Sequence, residues 1–373
     1  MNHLESYVTG TIKNTGCLPA LSTTLPYVKV SFCNRCQLSG SVMNINDIAA
    51  IAGVSKATVS RVLADSPNVR DSTRERIQKI IRDNNFEPNF LARSLSRRKT
   101  FSVGVIVEEM ANPFFGSILS MIENVLNDKH YTMSLSSSNW VKEKEFAAVR
   151  NMIRNSVDGM IVSPIALKSE TISILEKSSI PVLLLNNYTD NPAFSCVTSD
   201  NLQGGSLAAD HLLSLPSSER QQIIAVTGFK HQTLEERMDG FTRRIKPEVY
   251  EEINTYEDGL NLVPTLLTRN SINEIKTCLF ITNDNVAMGV QEGLLRHQVN
   301  IPGDVRMIGY DNIDFSGRCR VPLTTIEQSP GEMGRIAAME ILDMIENPEK
   351  ELRKFRLPTR LIIRESSPVM PGE

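Results

Sequence analysis

The chain has 373 residues, 41% hydrophobic and 22% charged, which is room for two or three domains of an ordinary soluble protein. No window approaches the ~18 apolar residues of a membrane span, and the first 20 residues have neither a cationic start nor an apolar run, so neither a membrane partner nor an export signal is expected. The net charge of −3 hides an asymmetry: residues 44–100 hold eleven Lys/Arg against six Asp/Glu, while residues 101–373 hold 26 against 36. A basic module on an acidic body suits a polyanion-binding head joined to a part with another task.

Residues 1–42 carry no periodic pattern and are expected to be a disordered extension or a misassigned start, with Met43 as initiator. The six cysteines (17, 33, 36, 196, 278 and 319) are scattered. Cys33-Asn-Arg-Cys36 is a single CxxC without a second pair, so no metal and no cofactor are expected, and a reduced, cytoplasmic setting follows.

From Asn44 the chain reads NINDIAAIAGVSKATVSRVLADSPNVRDSTRERIQKIIRDNNF. Asn44 can cap a helix with Ile45, Ile48, Ala49 and Ala52 at helical spacing, and Gly53 ends it. Ser55 then caps a second helix that turns Val59, Val62 and Leu63 inward. A third, from Asp71-Ser72, buries Ile77, Ile80 and Ile81 and projects Arg74, Arg76, Lys79 and Arg82. Helix, tight turn, helix and a supporting helix make a helix-turn-helix, whose second helix presents its first residues to base edges in the major groove. Those are Lys56, Ala57 and Thr58, with Ser60 and Arg61 a turn later. Lysine and arginine donate to guanine, and the methyls of alanine and threonine meet thymine. Ser55, Thr58, Ser60 and Thr73 suit phosphate contacts, which set register without reading sequence.

Residues 87–100, EPNFLARSLSRRKT, combine a core-like face with a basic one. Leu91 and Leu95 are four apart and would share one side of a helix, yet the run is below the roughly 12–15 residues an isolated helix needs. It requires a folding partner.

Beyond residue 100, short apolar runs alternate with helical patterns. SVGVIV (102–107), TMSLSS (132–137), GMIVSP (159–164), PVLLLN (181–186) and CVTSD (196–200) form one series of strands. IIAVTG (223–228), CLFITND (278–284) and VRMIGYD (305–311) form another. Two doubly wound parallel sheets are expected, with ligands in the crevice outside their carboxyl ends. Polar residues cluster there: Asn112 with Phe114 and Phe115, Asn187, Arg237, Asn283 and Asp311. Amides, one arginine, a carboxylate and aromatic faces suit a polyhydroxylated ligand.

NINDIAAIAGVSKATVSRVL resembles the DNA-binding headpiece of the lactose/galactose repressor family, and the likeness runs through FEPNFLARSL to LPTRLIIRESS, about 320 residues. One departure is Ala64, where the family usually has asparagine. The resemblance implies an all-α helix-turn-helix headpiece (43–87) and a hinge helix (88–99). It further implies an α/β two-lobed, periplasmic-binding-protein-like body (101–366) that binds effector and dimerises, with a tail at 367–373. Lobe 1 would comprise about 101–199 and 326–355, and lobe 2 about 200–325 and 356–366. Paired hinge helices would place Asn89, Ala92, Arg93 and Leu95 in the minor groove, with Leu95 as the wedge. ERMDGF, TNDNVAMG and IGYDN resemble effector-site motifs, placing Arg237 on the ligand and implicating Asn283, Asp284 and Asp311. Lys230, His231 and Gln232 occupy a variable loop that can influence effector choice. The expected partners are a double-stranded, near-palindromic DNA operator, a second copy of the chain, and a small effector. That effector is expected to be a sugar, sugar acid or sugar phosphate, with a nucleobase as the alternative. No leucine heptad follows Ser367, which favours a dimer over a tetramer. An exported sugar-binding protein is the second class, disfavoured by the headpiece. An enzyme is the third, and no Walker loop, helix-opening GxGxxG or HExxH is present.

Overall fold

A computed structural model describes residues 43–63, 66–84, 86, 99–270, 272 and 274–369. The extension 1–42 and the hinge positions Asn89, Ala92, Arg93 and Leu95 lie outside the described residues, as does Ala64. The chain divides into two compact units at residues 88 and 89.

In the first unit three helices, α1 (Ile45–Ala52), α2 (Lys56–Leu63) and α3 (Asp71–Asp83), enclose one small core. Asn44 caps α1 by accepting from the Asn46 amide, and Asp47 returns the bond to the Asn44 amide, so two orphan donors are satisfied reciprocally. Gly53 closes the helix at φ 62°, a left-handed geometry that a Cβ disfavours. Ser55 Oγ accepts from the Thr58 amide at 3.2 Å and opens α2. Ile48, Val59, Val62, Ile77 and Phe86 fill the centre. Ile80 and Ile81, expected inside, are half-buried at its rim, because a three-helix core this small has only one central layer. Arg74, expected to project, is also half-buried and donates to the Ser66 carbonyl at 2.5 Å.

The second unit contains two six-stranded sheets. The first is built from β1 (Ser102–Val107), β2 (Thr132–Ser137), β3 (Gly159–Val162), β4 (Val182–Leu185), β5 (Ser195–Ser199) and β11 (Lys354–Leu357). Its order is β11-β5-β4-β3-β1-β2, all parallel. The second is built from β6 (Gln222–Val226), β7 (Glu248–Tyr250), β8 (Thr277–Ile281), β9 (Val305–Asp311), β10 (Thr324–Glu327) and β12 (Arg360–Ile362). Its order is β12-β10-β9-β8-β6-β7, with only the edge strand β12 antiparallel. Central strands such as VLLL and TCLFI are buried at every residue, as a sheet covered on both faces requires.

Helices α4 (Pro113–Asp128), α5 (Lys142–Arg154), α6 (Glu170–Glu176) and α11 (Pro330–Glu346) flank the first sheet. Helices α7 (Asn201–Ser214), α8 (Gln232–Thr242), α9 (Tyr256–Asn270) and α10 (Asp284–Arg296) flank the second. Helices α7 and α8 cross closely enough that a Cβ on Gly205 would lie 2.0 Å from the Arg237 carbonyl oxygen, and one on Gly240 would lie 2.1 Å from that of Leu202. This approach fixes the position of Arg237.

The chain passes between the sheets three times, at residues 200, 328–329 and 358–359. The last two crossings lie two or three residues beyond the boundaries at 326 and 356 expected from sequence, because β10 and β11 each complete their pairing first. Strands β7 (EVY) and β11 (KFRL) were not anticipated. Both are short edges with charged or exposed residues and no apolar run.

Candidate functional site

On the headpiece, the periodicity that buries Val59 and Val62 leaves Lys56, Ala57, Ser60 and Arg61 exposed on the opposite side of α2. Four residues at i, i+1, i+4 and i+5 form one surface stripe, with two cations and no acid. Thr58 is half-buried, and its hydroxyl lies 2.9 Å from that of exposed Ser55, so the two already share one hydrogen bond. Thr73 is half-buried in the first turn of α3.

In the body, both sheets have the strand order that reverses direction beside its first strand, and the crevice at such a reversal is where open α/β sheets hold ligands. A cavity lies there, between the carboxyl ends of the two sheets. The segment after β1 supplies Asn112, Phe114 and Phe115, and the loop after β6 leads to Arg237 on α8. The ends of β8 and β9 supply Asn283 and Asp311. Six of the seven expected effector residues therefore meet in one cavity. The seventh, Asn187, does not line it: this side chain is buried behind the wall, donating to the Pro164 carbonyl at 3.2 Å, and its neighbour Asn186 faces the cavity instead. Both residues lie beyond the end of β4, and Asn186 has a left-handed backbone (φ 55°), so no strand periodicity sets which amide faces the cavity.

Asn112 and Asn283 have a second duty. Each caps a helix, Asn112 accepting from the Phe114 amide at 3.0 Å and Asn283 from the Val286 amide at 2.8 Å. Each carbonyl oxygen has thereby used one of its two lone pairs, and the Nδ2 groups remain as donors for a ligand.

Arg237 is only 3% exposed. Its Nε donates to Asn201 Oδ1 at 3.0 Å and its Nη1 to the Thr282 carbonyl at 2.6 Å and to Asp311 Oδ1 at 3.2 Å. The guanidinium lies 3.9 Å above the Tyr310 ring. None of these bonds uses Nη2. Asp311 also accepts from Gln328 Nε2 at 2.5 Å; burial pushes its carboxyl up to about 6 against the pull of Arg237. Behind it, burial and the Asp311 charge push Asp284 up to about 8 while Thr325 and the Ile313 amide bond it.

The cavity also has a wall of which sequence reasoning named only His231. Glu108, one residue beyond β1, is 1% exposed, and neither carboxyl oxygen completes a hydrogen bond. Burial raises it to about 8. Across from it stands His231, whose Nε2 lies 3.5 Å from Glu108 Oε1; burial lowers this imidazole to about 4. The Thr233 hydroxyl lies 2.8 Å from His231 Nδ1, and the Thr233 amide points at the same nitrogen from 3.4 Å. The pair is therefore an uncharged acid and an uncharged imidazole. Trp140, the only tryptophan in the chain, meets His231 edge-on at 5.5 Å and Phe229 at 6.1 Å, bringing rings from both lobes together at the mouth. Beside them, Gln232 takes both a bond from the Tyr188 amide (2.9 Å) and one to its carbonyl (3.0 Å), tying the lobes at the cavity edge.

Three of the lining residues have positive φ without being glycine: Asp311 at 113°, Trp140 at 60° and Asn186 at 55°. Such backbone is costly for L-residues and persists where surrounding structure enforces it, commonly at ligand sites. Glu108 and Trp140 had one sequence signal each, an acid directly after an all-apolar strand and a lone tryptophan after TMSLSS.

Comparison with known proteins places these two units in one lineage. Residues 44–89 match the profile described as bacterial regulatory proteins, lacI family, and residues 192–367 match that of a periplasmic binding protein-like domain. Catabolite control protein A of Priestia megaterium is 32% identical over 340 residues, 87% of this chain and 99% of that protein. The chain belongs to the lacI family of bacterial regulators. The HTH-type transcriptional repressor PurR of Vibrio parahaemolyticus is 29% identical across 86% of this chain and 98% of its own length. Among solved structures, the lac repressor dimer bound to operator and the anti-inducer ONPF has the same fold, with a TM-score of 0.78 and 22% identity over 87% of this chain and 99% of that one. A LacI-family transcriptional regulator from Enterococcus faecalis with bound ribose has a TM-score of 0.65 and 30% identity, over 72% of this chain and 100% of that one. The protein is thus a DNA-binding transcriptional regulator of the lacI family and not an enzyme. No described helix is long and apolar enough to cross a membrane.

Proposed function

We propose that this lacI-family regulator is a repressor that binds a near-palindromic operator as a dimer, and that a small carbohydrate-type effector between the two sheets of the body sets its affinity for DNA. The observation that carries the effector half is the Arg237–Asp311 pair at the carboxyl ends of the second sheet. A carboxylate and a guanidinium held side by side can take two adjacent hydroxyls, while Phe114 and Phe115 cover an apolar ring face. Relatives named as repressors and a ribose-bound structure at 30% identity support the same reading. A nucleobase is the second reading, favoured by Trp140 and Phe229 at the mouth with the Asn186 and Asn254 amides nearby.

In this reading Lys56, Ala57, Ser60 and Arg61 meet base edges, and Ser55, Thr58 and Thr73 lie at phosphates. Asn89, Ala92, Arg93 and Leu95 form the hinge that enters the minor groove. Insertion of an apolar wedge costs a few kcal/mol per base step and is recovered through contacts on the bent duplex. A hinge too short to be helical alone is ordered by DNA and its dimer mate together, which couples effector and operator through one bistable element. Selection of bound sequences from a random duplex pool, followed by titration of the recovered operator against sugars and nucleobases, tests the proposal. A symmetric site whose affinity responds to a sugar is expected. An asymmetric site, or indifference to every sugar, would overturn it.

A further inference from the structure

Building on the effector reading above, we infer that the ligand of this cleft is uncharged: a sugar or related polyol rather than a sugar acid or sugar phosphate. The argument is one of charge supply. Among the described residues that line the cleft, Arg237 is the only lysine or arginine. Its charge is already matched by Asp311 at 3.2 Å, and two of its nitrogens are committed to Asn201, Thr282 and Asp311. Lys230, next to lining residues Phe229 and His231 in sequence, is exposed and does not line the cavity.

Of the three lining acids, Asp311 is already the partner of that cation, Glu108 is kept in its acid form by burial, and Glu109 is left over, so no positive charge is spare. An anionic ligand group would leave water for a wall with no free cation, and a buried anion without a partner is strongly disfavoured. A hydroxyl has no such penalty.

The wall is also unfinished in a way that suits hydroxyls. Both Glu108 oxygens, Ser163 Oγ and Asn186 Oδ1 are buried and complete no hydrogen bond, although the Ser163 hydroxyl lies close enough to Glu108 for the two to influence each other. Buried polar groups are nearly always paired, so a cluster of unpaired ones beside a cavity points to the ligand that pairs them. Burial keeps Glu108 as the acid and His231 as the neutral imidazole. Glu108 can then donate as well as accept, and the Asn186 amide oxygen accepts, which matches the two-way bonding of a neutral hydroxyl.

The test uses the full chain and matched ligand pairs: ribose with ribose 5-phosphate, glucose with glucose 6-phosphate and gluconate, and adenosine with its 5′-monophosphate. Binding is followed by calorimetry and by the fluorescence of Trp140. The expected result is that the best-bound compound is a neutral sugar and that its charged counterpart binds at least 100-fold more weakly. Phe229→Arg, which adds a cation at a partly exposed lining position, should narrow that gap at least tenfold. A charged member that binds as well as its neutral parent would overturn the inference and leave the carbohydrate reading standing. Failure of every sugar to bind, neutral or charged, would overturn the carbohydrate reading and this inference with it. A gap that Phe229→Arg leaves unchanged would show that shape, not charge, discriminates, and the inference would fall.

Discussion

Arg237 and Asp311 lie 3.2 Å apart, nearly sealed from solvent, and each is held by at least one further bond of its own. Removing one member leaves the other charged and buried, which typically costs 3–5 kcal/mol. Arg237→Ala should therefore lower the urea midpoint of the body by an amount equivalent to about 3 kcal/mol or more. Asp311→Asn keeps the shape but leaves the Arg237 guanidinium buried without its counter-charge, so it should also destabilise, by an amount up to that of Arg237→Ala, while abolishing the effector's influence on DNA binding. Chemical denaturation and operator titrations with and without effector separate the two outcomes.

Glu108 provides a pH prediction. Burial raises this carboxyl from 4.5 in the unfolded chain to about 8, so between those values the folded state holds a proton that the unfolded state has lost. Its contribution to stability is accordingly full below about pH 4.5 and disappears as pH rises toward 8. The Glu108→Gln variant lacks this titration. Relative to that variant, the wild type should lose on the order of 2–3 kcal/mol between pH 5 and 7.5, because one extra bound proton is worth about 1.4 kcal/mol for each step of one in pH. His231 and Asp311, common to both proteins, cancel to first order in the difference. Parallel stability curves for the two proteins would show that Glu108 is ionised in the folded state.

The crossing of α7 on α8 depends on bare backbone at residues 205 and 240. A methyl at Gly240 would sit 2.1 Å from the Leu202 carbonyl oxygen and force the helices apart. Overpacking of this kind costs roughly 1–3 kcal/mol. Because Arg237 is on the displaced helix, Gly240→Ala should weaken effector binding tenfold or more even where the variant remains folded, as calorimetry would show.

The headpiece should behave as two classes of contact. Lys56→Ala or Arg61→Ala removes a base-edge donor, and a bidentate one is worth roughly 1–3 kcal/mol of discrimination. Preference for the operator over a scrambled duplex should fall for these variants. Arg74→Ala should instead lower headpiece stability, because Arg74 is bonded to the Ser66 carbonyl. Binding by the wild type should weaken steeply with salt as neutralised phosphates release counterions.

Much of this architecture is legible in the sequence alone. The helix spacing around Val59 and Val62, the cap at Asn44 and the left-handed Gly53 are local facts, and local facts are written in local sequence. The buried strands are visible as apolar runs, which is why Asn283 and Asp311 at their ends could be named; Arg237, on α8, is named from the ERMDGF segment that follows β6. What stays hidden depends on distant packing. Glu108 followed by Glu109 looks like a solvated acidic pair; only the folded lobe shows one of them sealed against His231, 123 residues away in the chain. Asn186 and Asn187 are chemically identical, and the one that faces the cleft is placed by a left-handed backbone just past β4 that no local pattern announces. Strands β7 and β11 owe their existence to a neighbour's edge and not to their own composition.

The triple passage between lobes has a consequence for biosynthesis. Helix α11 supplies Met333, Ala337, Ala338, Ile341 and Ile345 to the core of the first lobe, and β11 completes that lobe's sheet. The three-helix headpiece has all its core residues by Phe86 and is free to fold while translation continues. The sensor is not: its earliest-made half must wait on the ribosome for residues beyond 350. A nascent chain therefore acquires its DNA reader long before its ligand receptor, and a premature stop near residue 330 would deprive both lobes at once.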